Sequence, residues 1–111
     1  MNKTTVLNCP VDLINVDNAI NQVDSTIKQG VNFQIITINP EMIMNAQKNA
    51  EFLYIIQNSD LNIADGVGVT IALKMQNVNQ KPIRGIDFSR NLIEFASKNN
   101  LSIAFWAQLK R

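Results

Sequence analysis

From Asn15 onward the apolar residues Val16, Ala19, Ile20, Val23 and Ile27 fall three and four apart, the spacing of one helix face, with Asn15 as N-cap and Gly30 as terminator. Residues 31–38 are short, β-branched and aromatic, the makeup of a buried strand, and the run stops at Asn39-Pro40 because proline has no N–H for a ladder. Helical spacing resumes over residues 41–47 and 50–57, and Asn58-Ser59-Asp60 breaks it before a second strand, Leu61–Ala64. Asp65-Gly66-Val67-Gly68 follows, then a helix over residues 69–75 and a polar loop over 76–82. A further helix starts near Asp87, its expected cap, with Phe88, Leu92, Phe95 and Ala96 on one face, and residues 101–106 read as a third strand. Ahead of all this, residues 4–7 and 11–13 flank Asn8-Cys9-Pro10 and predict a small N-terminal β-hairpin. Met42, Met44 and Met75 sit at helical positions and are expected to fill the core.

Alternating helices and apolar strands predict an α/β protein: a Rossmann-like, three-layer fold with a mainly parallel sheet behind the hairpin. At 111 residues, 46% hydrophobic and 17% charged, the chain fits one soluble domain rather than a disordered or membrane-spanning one. A net charge of +1 offers no basic stripe to hold nucleic acid. One cysteine and no histidine leave no disulfide and no Cys/His metal site, so no metal and no cofactor are expected. The opening residues are too briefly apolar for a signal peptide, and no run is apolar enough to span a bilayer, so a cytoplasmic location is expected.

In open α/β sheets ligands bind outside the carboxyl ends of the strands, and two polar clusters fall there. Asp65, beside two glycines that permit close approach of another molecule, is either a general base or the cap of the helix beginning near Gly66; its local pattern alone favours the cap. Thr37 and Asn39 can bond a sugar hydroxyl or a phosphate, or close a turn before Pro40, and unaided the turn is the simpler reading. Gly66-Val67-Gly68 lacks the third glycine of a dinucleotide fingerprint and the lysine of a P-loop, which excludes a nicotinamide or ATP assignment. Arg84 and Asp87 flank Gly85-Ile86; arginine there can pair with a diphosphate, although a solvated loop charge is the default.

Taken together, Val6-Leu7-Asn8-Cys9-Pro10-Val11-Asp12, Thr37-Ile38-Asn39-Pro40-Glu41 and Asp60-Leu61-Asn62-Ile63-Ala64-Asp65-Gly66-Val67-Gly68 resemble the WecG/TagA/CpsF glycosyltransferase family, and Gly85-Ile86-Asp87-Phe88 resembles its Gly-x-Asp-Leu/Phe segment. The resemblance implies an inverting, metal-independent transfer of an N-acetylmannosamine-type sugar from a UDP-sugar to a polyprenyl-diphosphate-linked acceptor in cell-surface polysaccharide synthesis. By position it implies Asp65 as general base, with Thr37, Asn39, Gly66, Gly68 and Arg84 as substrate-binding residues. Pro82 departs from the pattern, since relatives carry an arginine there. Family members run to about twice this length, so residues 1–111 are expected to be the N-terminal part of such a domain, completed by an oligomer or a partner that supplies the missing half. Complete relatives are expected at the inner face of the plasma membrane, where their lipid acceptor lies. The alternative is a catalytically inactive, truncated α/β module that serves as a binding or assembly partner.

Overall fold

The computed structural model describes residues 3–104. Its element order is β1 (Lys3–Val6), β2 (Cys9–Asp12), α1 (Val16–Ile27), β3 (Ile35–Ile38), α2 (Pro40–Lys48), α3 (Ala50–Asn58), β4 (Leu61–Ala64), α4 (Val67–Met75) and α5 (Gly85–Lys98). β1 and β2 form the antiparallel hairpin. Its turn is Leu7-Asn8, one step before the expected site, and both residues lie at positive φ, 48° and 69°, as a two-residue type I′ loop requires. Cys9 and Pro10 therefore belong to β2. Glutamine side chains hold the tip from two helices: Gln47 Nε2 donates to the Leu7 carbonyl at 2.9 Å and Gln57 Nε2 to that of Asn8 at 3.0 Å.

The second sheet pairs β3 with β4 in parallel, Ile35 against Leu61 through Ile38 against Ala64. The strand predicted over residues 31–38 shortens to its last four because β4 begins only at Leu61. At that end Gln34 N–H donates to Asp60 Oδ2 at 2.7 Å, and the Gln34 carbonyl accepts from Asp60 and Leu61, which closes the ladder. Successive side chains of a strand point to opposite faces, and the core divides accordingly. Ile38 and Ala64 pack with Val6, Val11, Ile43, Ile56, Val69 and Leu73 on the side of the hairpin, α2, α3 and α4. Leu61 and Ile63 pack with Ala19, Val23, Ile83, Phe88 and Leu92 on the side of α1 and α5. These are the three layers the sequence predicts.

Asparagine sets the helix boundaries. Asn15, Asn39 and Asn49 each accept a hydrogen bond from the amide three residues on, capping α1, α2 and α3. Asn77 and Asn100, at φ of 62° and 55°, close α4 and α5 in the left-handed conformation; the next amides, Val78 and Leu101, reach back to Leu73 and Ala96 at 2.9 Å. This closure bears on the predicted third strand: residues 101–104 form no strand, because Leu101 is engaged in ending α5, while 105 and 106 lie outside the described residues. α5 starts at Gly85 rather than near Asp87, which sits in its first turn. Met42 packs against the core as expected, but Met44 and Met75 are 55% and 83% exposed. Their helices turn those positions outward, so core filling is corrected for both.

The hairpin and β4 are joined by buried polar groups. Asp12, Ser59 and Asn62 are all buried; Asn62 N–H donates to Asp12 Oδ2 at 2.7 Å, and Asn62 Nδ2 donates to the carbonyls of Pro10 and Ile56 at 2.9 Å. Ser59 Oγ bonds Asn62 Oδ1 and the Ile56 carbonyl. Every polar atom of the Asn62 side chain is thus engaged, the condition under which a buried amide is tolerated.

Candidate functional site

The parallel register makes β3 and β4 end side by side, so Asn39-Pro40-Glu41 and Asp65-Gly66-Val67-Gly68 emerge together, with Asp65 N–H donating to the Ile38 carbonyl at 2.9 Å. A third segment joins them. Ile83 forms an isolated parallel bridge with Asp65: its N–H donates to the Ala64 carbonyl and its carbonyl accepts from Gly66 N–H, both at 3.2 Å. The polar loop after α4 therefore returns along the flank of β4, a pairing too short to carry a strand signature in the sequence.

The return delivers Gly85 to the side chain of Asp65. Gly85 N–H donates to Asp65 Oδ1 at 2.9 Å across 20 residues of chain. Asp65 does cap a helix, but the helix is α5; α4, which follows it directly, has no side-chain cap. The local cap expectation is corrected in its partner: Gly66, at φ 78° and ψ −175°, turns the chain so that the Asp65 carboxylate faces the incoming α5 instead. That backbone region is open essentially to glycine alone. The carboxylate is half-buried, and Oδ2 takes no hydrogen bond among the described residues.

Gly68 and Gly85 serve close approach rather than an unusual φ, since Gly30 and Gly66 are the glycines at positive φ. A Cβ on Gly68 would lie 2.5 Å from Pro40 Cγ, so the first turn of α4 rests on the first residue of α2. A Cβ on Gly85 would lie 2.8 Å from Asp65 Oδ2. The N-termini of α2, α4 and α5 are thereby gathered at the strand ends, and each presents the positive end of a helix dipole. Such a place suits anionic oxygens, and the Asp65 carboxylate is held there by the Gly85 amide.

The other predicted residues fall around this point. Thr37 lies on β3 opposite Ile63, half-buried, one residue before the strand ends. Asn39 Oδ1 accepts from Met42 N–H at 2.9 Å, so that atom caps α2 rather than closing a turn before Pro40. Arg84 is exposed at the start of α5 with its Nε 3.7 Å from Asp87 Oδ2. An exposed pair of this kind is worth about 0–1 kcal/mol and leaves the guanidinium available to a stronger anion. Among the described residues there is no group of three or more side chains arranged to hold a metal, and no helix long and apolar enough to cross a membrane. An open depression of about 430 Å³ lies elsewhere, between the end of α2 and the start of α3, lined by Asn45, Lys48, Asn49, Glu51, Phe52 and Ile55. None of the candidate residues lines it.

Ile83 and Pro40 are the participants that sequence reasoning missed. For Pro40 there was a signal: glycine inside the first turn of a helix, as at position 68, costs stability relative to alanine and implies a neighbour that needs the space.

The model of the glycosyl transferase WecG/TagA/CpsF family matches residues 4–109. The chain is 27% identical over 112 aligned residues to the N-acetylglucosaminyldiphosphoundecaprenol N-acetyl-beta-D-mannosaminyltransferase of Bacillus subtilis (strain 168). The match covers 99% of this chain and 44% of that protein, so the chain spans less than half the length of the curated relative.

Proposed function

We propose that this chain, which belongs to the WecG/TagA/CpsF family of glycosyl transferases, forms one wall of a site that transfers an N-acetylmannosamine-type sugar from a UDP-sugar to a polyprenyl-diphosphate-linked acceptor. The observation that carries the reading is the gathering of three helix N-termini at the ends of β3 and β4, with the Asp65 carboxylate bonded to the amide that opens α5. Sugar transfer from a nucleoside diphosphate needs two things there: a base for the acceptor hydroxyl, and donors for the charge that grows on the departing diphosphate.

In this reading Asp65 Oδ2 takes the proton of the acceptor hydroxyl. The freed oxygen forms a bond to the anomeric carbon from the face opposite the diphosphate. The bond from that carbon to the diphosphate breaks, its electron pair leaves with the nucleoside diphosphate, and the anomeric centre inverts. The first-turn amides of α4 and the guanidinium of Arg84 hold phosphate oxygens, and Thr37 and Asn39 orient the sugar. The Bacillus subtilis relative is named for an undecaprenyl-linked acceptor; a similar acceptor brings the site to the inner surface of the plasma membrane.

The alternative reading is an inert α/β module that binds or completes another chain. One experiment separates the two. Residues 1–111 are fused to the portion of the Bacillus subtilis relative outside the match, and transfer of labelled N-acetylmannosamine from its UDP-sugar to a polyprenyl-diphosphate N-acetylglucosamine is measured. Turnover that falls with Asp65→Asn supports the enzyme; a folded fusion without turnover supports the module.

A further inference from the structure

Gly85 stands where a helix gains nothing from glycine. It opens α5 and its φ is not in the positive range, so no left-handed backbone calls for glycine there. What accounts for glycine is Asp65. A Cβ at position 85 would come within 2.8 Å of Asp65 Oδ2, 3.1 Å of its Cγ and 3.3 Å of Oδ1, while the Gly85 N–H already holds Oδ1 at 2.9 Å. The same residue thus pins one carboxylate oxygen and leaves the space the other occupies. Asp65 can make room for a methyl group only through its side chain, because its backbone is held by the bond to Ile38 and its neighbours Ala64 and Gly66 by the bonds to Ile83. Rotation about χ2 moves the two oxygens but leaves Cγ 3.1 Å from the new methyl group, so relief on an immobile backbone calls for rotation about χ1 as well.

From this we infer that Gly85 is a positioning residue: its amide and its missing side chain fix the rotamer of Asp65 so that Oδ1 is tied to α5 and Oδ2 faces the crevice. The inference rests on the reading of Asp65 as the base. A base acts only within hydrogen-bond reach of its proton, and displacement by about 1 Å can lower turnover about 10²-fold. Ile83 contributes by bringing residue 85 to this place, which makes the bridge beside β4 part of the same device.

The test is Gly85→Ala in the full chain, followed by NMR for the Asp65 χ1 rotamer and by thermal melting, and then in the transferring fusion alone and combined with Asp65→Asn. The expected result is a changed Asp65 rotamer, a melting temperature no more than a few degrees from the parent, and kcat lowered about 10²-fold with KM little moved. Since Gly85 acts through Asp65, the double variant should turn over no more slowly than Asp65→Asn alone. An unchanged rotamer overturns the inference, and so do losses that multiply in the double variant while Asp65→Asn is itself impaired. Full turnover by Asp65→Asn instead removes the base reading, and the positioning role with it.

Discussion

The backbone amide of Asn62, in the centre of β4, donates to the buried carboxylate of Asp12 at 2.7 Å, so a strand amide is satisfied by a side chain from the hairpin rather than by a neighbouring strand. The other Asp12 oxygen lies 3.8 Å from Lys3 Nζ. Asp12→Ala should therefore lower stability by about 1–3 kcal/mol, since a buried N–H loses its acceptor. Asp12→Asn keeps an acceptor and should lose less. Urea unfolding of the two variants checks the order.

Asp65→Asn should lower turnover in the transferring fusion by about 10²–10⁴-fold, the loss typical of a missing general base. It should leave the melting temperature nearly unchanged, because the amide oxygen still accepts from Gly85 N–H. Turnover within a few-fold of the parent would leave Asp65 with the capping role alone.

Thr37→Ala and Asn39→Ala should separate. The Thr37 side chain caps no helix among the described residues, so its loss should reduce donor binding or turnover with little effect on melting. Asn39→Ala removes the cap of α2 as well and should cost about 1 kcal/mol, whereas Asn39→Ser retains the cap. Kinetics beside melting curves for all three variants test this; if Asn39→Ser restores both stability and activity, Asn39 is a cap and nothing more.

Gly66→Ala and Gly68→Ala should both destabilise, by different routes. At position 66 nothing crowds a Cβ, and the loss of about 1–3 kcal/mol comes from the backbone conformation. At position 68 the loss, also about 1–3 kcal/mol, comes from collision with Pro40. Pro40→Ala should therefore relieve Gly68→Ala but not Gly66→Ala. Chemical denaturation of the two double variants decides it.

Cys9 is fully buried, and burial pushes its thiol above the ordinary value of 9.0. The folded chain should react slowly with thiol reagents at neutral pH and rapidly once unfolded. The sign for stability follows: the unfolded thiol ionises first, so the contribution of Cys9 is full below its ordinary pKa and falls as pH rises through the folded value. Stability measured from about pH 8 to about pH 10, on either side of that ordinary value, should decline less in Cys9→Ala than in the parent.

The sequence reveals the parts of this fold that are written locally. Helix spacing places α1 and α2 closely, with Asn15 as the expected cap of α1, and β4 falls within its predicted bounds because its four residues are all buried and end at a turn signal. The parallel pairing follows from the alternation of elements. What stayed hidden depends on residues far apart in the chain. Asp65 was visible as a cap or a base, but not which helix it caps, because the answer is fixed by a one-residue bridge at Ile83. Met44 and Met75 misled because apolarity at helical spacing does not say which of two apolar faces the core takes. The resemblance to relatives singled out the candidate site residues; only their placement in space brought Gly85 and Pro40 into the same group.

The bridge beside β4 also has a kinetic meaning. Three hydrogen bonds fasten the 83–85 segment, and all of them end on residues 64–66. A fluctuation that swings the start of α5 outward must break these bonds together, and in doing so it releases the Asp65 side chain. Opening of this wall and loss of the ordered carboxylate are then one event, so amide hydrogens at 66, 83 and 85 should exchange with a common rate.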